Sequence, residues 1–114
     1  MITVEMVVDF EGLLRSCTVT GHANAGPKGA DIVCAAVSIL TKTALRTLTG
    51  RRGIILRVPG GNPERGTFTM ETDYTGEGRI FLAAVGAFLM EGLVSVSEAY
   101  PDHCTMNIHK ERRK

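Results

Sequence analysis

Apolar residues alternate with their neighbours at the start of the chain. Ile2, Val4, Met6 and Val8 are separated by Thr3, Glu5 and Val7, a period of two that predicts a half-buried strand. Asp9-Phe10-Glu11-Gly12 supplies turn chemistry, and residues 13–21 read as the returning strand. Residues 22–30 hold Gly26, Pro27 and Gly29 and show no period, so a mobile loop is expected there. Asp31 stands where a helix N-cap belongs, with its carboxylate placed to accept from the N–H of Val33 or Cys34. Over residues 32–49, Ala36, Val37, Leu40, Ala44 and Leu48 recur at helical spacing, and Gly50 follows as a C-terminal stop. Residues 53–58 and 66–73 predict two more strands, joined by turn-forming residues 59–63. Residues 78–100 predict a second helix, apolar on much of its circumference through Ile80, Phe81, Val85, Phe88 and Leu89. Pro101 ends it, and residues 104–108 read as a short last strand.

The expected order is β-β-α-β-β-α-β: an α+β domain with a single mixed β-sheet and two helices, one sheet face being left open. With 114 residues, the chain fits one domain spanning 1–114. The second helix has more apolar surface than one other helix and one sheet face can cover, which predicts a homodimer.

Charge and cysteine content narrow the partners. Thirteen basic and twelve acidic side chains leave a net charge of +1, which provides no overall field for nucleic acid or a membrane surface. Only residues 110–114 are locally basic, and they read as a solvated terminus. Three irregularly spaced cysteines make a poor disulfide framework and suit a reducing compartment. The N-terminus has no basic region ahead of its apolar residues, and the apolar run 80–90, bounded by Arg79 and Glu91, is below the ~20 residues that cross a bilayer. A cytoplasmic protein is expected. Phosphate-loop and dinucleotide fingerprints are absent, as are CxxC and HxxxH pairs, so neither cofactor nor metal is expected.

Chemistry concentrates between Gly21-His22 and Cys34. With Asp31 as N-cap, Cys34 is the third helical residue, where the macrodipole and unpaired N–H groups favour a thiolate over a thiol of pKa ~8.5. His22, at a strand end, can reach it across a short loop and serve as its base. Spacing alone leaves two plainer readings open: Cys34 as a small buried residue among Val33, Ala35 and Ala36, and His22 as a surface histidine. Ser38 lies one turn after Cys34 on the same face, placed either to hydrogen-bond near the thiolate or simply to pack. Cys17 and Cys104 sit in strands, where cysteine packs as a hydrophobe, and His103 and His109 carry no partner signal.

The string Gly21-His22-Ala23, Gly29, then Asp31-Ile32-Val33-Cys34-Ala35-Ala36-Val37-Ser38 resembles the ribosomal-processing cysteine proteases (Prp), and the length and element order resemble that family along the whole chain. The resemblance implies a homodimeric bacterial endopeptidase with a His22–Cys34 dyad, and Gly21, Gly29, Asp31 and Ser38 fit the same motif. It implies a substrate as well: the N-terminal extension of large-subunit ribosomal protein number twenty-seven, with aromatic residues before the cut and a small residue after it. Two other classes remain open from the residues themselves. One is a non-catalytic ribosome- or RNA-associated module, and the other is a redox-sensing thiol that needs no His22.

Overall fold

The computed structural model describes residues 1–21, 28–59 and 67–112, with side chains from residue 32 onward in the first helix. The elements are β1 (Ile2–Val8), β2 (Leu14–Thr20), α1 (Lys28–Leu48), β3 (Ile54–Arg57), β4 (Thr67–Tyr74), α2 (Gly78–Ala99) and β5 (Cys104–Lys110). The strands form one five-stranded sheet in the order β3-β4-β2-β1-β5. Only β1 and β5 pair in parallel, which makes the sheet mixed. The single mixed sheet with two helices is the architecture that the apolar pattern predicts.

Alternation in β1 decides which face the helices cover. Ile2, Val4, Met6 and Val8 are buried, together with Cys17 of β2, Met70 of β4 and Cys104 of β5. Val33, Val37, Ala44 and Leu48 of α1 and Leu82, Leu89 and Leu93 of α2 close over them in one core. Each fully buried leucine contributes on the order of 1.5–3 kcal/mol of burial free energy. The other face carries polar partners instead: Thr18 and Thr69 hydroxyls 3.3 Å apart, Arg15 donating to Asp73 at 3.2 Å, and His109 Nε2 2.6 Å from Glu5 Oε2.

The β1–β2 turn is held by Asp9, whose Oδ1 accepts from the backbone N–H groups of Glu11 (2.8 Å) and Leu13 (3.0 Å). Helix α1 ends where Gly50 adopts φ +70°, a conformation that glycine reaches without strain. Helix α2 continues past Glu91 as one helix of 22 residues, long and apolar enough by length and composition alone to cross a membrane. Leu82, Leu89 and Leu93 turn one side of it into the core, while Ile80 and Phe88 are exposed.

One expectation changes. Helix α1 begins at Lys28, so residues 28–30 belong to it and Asp31 is an interior residue of its first turn, not the N-cap. Cys34 is then the seventh helical residue. Two signals one turn apart compete here, because an acidic residue is favoured both at the cap and within the first turn, while Pro27 in the sequence is a residue favoured at a helix start. His22, the rest of the expected loop (residues 23–27) and most of the expected turn 59–63 lie outside the described residues.

Candidate active site

Cys34 is half-buried on the side of α1 that looks toward the ends of β2 and β4. It opens on a groove of about 330 Å³ walled by Val19, Val37, Leu45 and Phe68. Ser38 and Lys42 line the same groove, as the helical repeat requires of residues four and eight positions after Cys34. Thr41 also lines it, but its hydroxyl donates back to the carbonyls of Val37 (2.9 Å) and Ser38 (3.2 Å).

Gly21 closes the groove from the sheet side. Its φ is +107°, and a Cβ at this position would collide with the Met1 carbonyl oxygen. Only glycine fits against the first residue of the chain here. Gly21 is followed in the sequence by His22.

The start of α1 at Lys28 alters the electrostatics expected of Cys34. Dipole assistance falls off within the first turn, and Cys34 lies in the second. The N–H groups without a partner inside the helix belong to residues 28–30, one turn ahead of the thiol.

The other two thiols are set aside by burial. Cys17 is fully buried and its thiol is pushed up to about 12 by desolvation, while burial also raises Cys104. Both stay protonated at neutral pH and sit in the core. Neither described histidine lines the groove. His109 faces Glu5 on the open side of the sheet, and its hydrogen bond is the main reason the Glu5 carboxyl lies below its ordinary value. The backbone carbonyl of His103 accepts from the Ile2 N–H at 2.9 Å.

The structure thus brings Gly21, Cys34 and Ser38 together. It puts Gly29 and Asp31 in the first turn of α1, and His22 lies outside the described residues. Lys42, Val19, Phe68 and Val58 also line the groove and were missed from the sequence. The helical repeat from Cys34 would have found Lys42, whereas the strand residues reach the site only through tertiary pairing.

One half-buried thiol opens on an apolar groove while the other two are sealed in the core, which leaves Cys34 as the thiol with access to a ligand. The model of the family described as cysteine protease Prp matches residues 1–105, and the chain belongs to that family: it is a cysteine protease. Among solved structures, SMU.848 from Streptococcus mutans is similar with TM-score 0.78 at 26% identity, covering 97% of this chain and 96% of that one. The ribosomal processing protease Prp from S. aureus bearing a covalently linked product peptide gives 0.77 at 25% identity, over 95% and 99%. The same protease with a substrate peptide gives 0.79 at 22% identity, over 95% and 99%. No curated protein sequence matches the chain. Family membership sets aside the non-catalytic binding module.

Proposed function

We propose that this protease removes the N-terminal extension of bacterial large-subunit ribosomal protein number twenty-seven in the cytoplasm, with Cys34 as nucleophile and His22 as its base. The observation that carries the dyad is that Cys34 and Gly21, the residue directly before His22, line one groove. The assignment of substrate is supported by the S. aureus relatives, a ribosomal processing protease seen with a substrate peptide and with a covalently linked product. Apolar walls suit the aromatic residues expected before the cut.

In the proposed reaction His22 takes the Cys34 proton as Sγ attacks the scissile carbonyl, and then gives it to the leaving amine. The acyl group remains as a thioester on Cys34. Water, deprotonated by His22, hydrolyses it. The N–H groups of residues 28–30, which have no partner within the helix, are the donors we assign to the oxyanion, because side chains on a helix lean toward its N-terminus and the Cys34 side chain leans toward that turn. Gly29 in that turn lets substrate approach the backbone closely, and Ser38, one turn after Cys34 on the same groove, is placed to hydrogen-bond substrate beside the thiol.

The enzyme works as a homodimer joined through its helices. Ile39 of α1 and Phe88 of α2 are 64% and 75% exposed, on a second groove between the two helices that contains no charged residue among those described. A contiguous apolar face of this kind pairs with a second copy of itself across a two-fold axis.

The test is incubation with a peptide spanning the ribosomal extension, read by mass spectrometry. Cleavage at one bond by the native chain and none by Cys34→Ala is the expected result. Cleavage retained in Cys34→Ala would overturn the assignment of nucleophile, and no cleavage of the peptide by the native chain would overturn the assignment of substrate.

A further inference from the structure

Lys42 lies on the same stripe of α1 as Cys34 and Ser38, two helical turns from the thiol, and all three line the catalytic groove. Among the described residues it supplies the groove's only charge. No carboxylate lines that surface, and no hydrogen bond or ion pair holds Lys42 to any described side chain. The surrounding wall is apolar: Leu45 and Val37 flank it on the helix, and Phe68 and Val58 come from the sheet side. Thr41 does not compete for a ligand, because its hydroxyl is bonded to its own helix. Lys42 is itself exposed, and an unpaired ammonium beside an apolar groove hydrogen-bonds acceptors and repels cations.

We infer that Lys42 is a specificity-determining residue of the protease, which selects an acceptor-bearing side chain (Glu, Asp, Gln or Asn) in the bound peptide and rejects Lys or Arg there. The inference rests on the reading of the Cys34 groove as a peptide site. Eight helical residues rise ~12 Å, and the lysine stem leans back toward the helix N-terminus, so the ammonium lies ~6–12 Å from the thiol. An extended peptide advances ~3.3 Å per residue. The selected position is therefore the second to fourth residue from the scissile bond. A basic ribosomal protein must then present an uncharged or acidic stretch to this groove, with its cationic residues elsewhere.

The experiment uses one peptide scaffold carrying Glu, Gln or Lys at each of these positions on either side of the cut. Cleavage by the full-length enzyme gives kcat/KM, and fluorescence anisotropy with the inactive Cys34→Ala chain gives Kd without turnover. At one position the Glu peptide is expected to be preferred over the Lys peptide by about 5–10-fold, the size of a partly exposed ion pair gained and a like-charge contact avoided. Lys42→Gln should flatten that preference, Lys42→Glu should invert it, and added salt should shrink it in the native chain. Equal Kd values for Glu and Lys peptides, a preference that survives Lys42→Glu, or no binding of any peptide overturns the inference. Charge-selective binding without cleavage would instead count against the proposed substrate and support the role of Lys42.

Discussion

Along one side of α1, Cys34, Ser38 and Lys42 look into a groove of about 330 Å³; along the other, Ile39, Thr43 and Thr47 look into one of about 460 Å³ shared with α2. Both are walled mainly by aliphatic and aromatic carbon. The first opens toward the ends of β2 and β4, where Gly21 turns the chain, and it contains a thiol and a cation. The second is closed by Ala84, Val85, Phe88 and Leu89 and contains neither. One helix with one period thus lines two grooves, and what differs is its neighbour. A strand end brings backbone and loop residues to the first side, whereas a second helix brings only its own apolar stripe to the other. Apolar grooves of similar size are therefore told apart by the polar groups that converge on them, not by volume.

The largest effect that separates the two sides is the loss of the thiol. Cys34→Ala should lower kcat/KM at least about 10³-fold while leaving the melting temperature nearly unchanged, as expected when a nucleophile is removed from a half-buried position. Equal loss from a substitution on the second groove would erase the distinction. On that groove, Phe88→Glu should weaken self-association about 30-fold or more, the effect of removing a hot-spot aromatic, as seen by light scattering across a dilution series. Alkylation of Cys34 should be unchanged in the same variant. A smaller effect is expected at the sheet-side wall of the first groove. Gly21→Ala forces a Cβ toward the Met1 carbonyl at φ +107°, and should destabilise the fold by about 1–3 kcal/mol in urea titrations and slow cleavage by displacing the next residue.

The last effect lies in the core and shows only at high pH. The Cys17 thiol has its pKa raised by burial from 9.0 to about 12, so the folded state disfavours the thiolate that the unfolded chain forms. The stability that follows is fully present below pH 9 and is lost as pH rises toward 12. Cys17→Val, of similar volume, should make the decline in urea midpoint over that range shallower than in the native chain.

Much of this arrangement is legible in the sequence, and the reasons differ by element. The β1 alternation gives its buried face directly, because side chains on a strand alternate without exception between the bulges. The apolar surplus of α2 shows as exposed Ile80 and Phe88. The start of α1 is misread by one turn, since Asp31 satisfies the rule for a cap and the rule for a first-turn acid equally well, and only the backbone distinguishes them. That turn matters chemically: it carries Cys34 out of the strongest field of the helix terminus, and the proposed dyad assigns its activation to a neighbouring base. Val19 and Phe68 escape a sequence reading because strand pairing and the register of β2 with β4 put them beside a helix distant in the chain.

The central claim is that Cys34 is activated by His22, the residue after Gly21, and not by the helix terminus alone. The most direct test is the rate of iodoacetamide alkylation at Cys34 from pH 5 to 9, read by peptide mass spectrometry in the native chain, His22→Ala and His103→Ala. The account predicts a neutral-pH rate that falls about tenfold or more in His22→Ala and stays within twofold of native in His103→Ala, both variants remaining folded. A native rate retained in His22→Ala would contradict it.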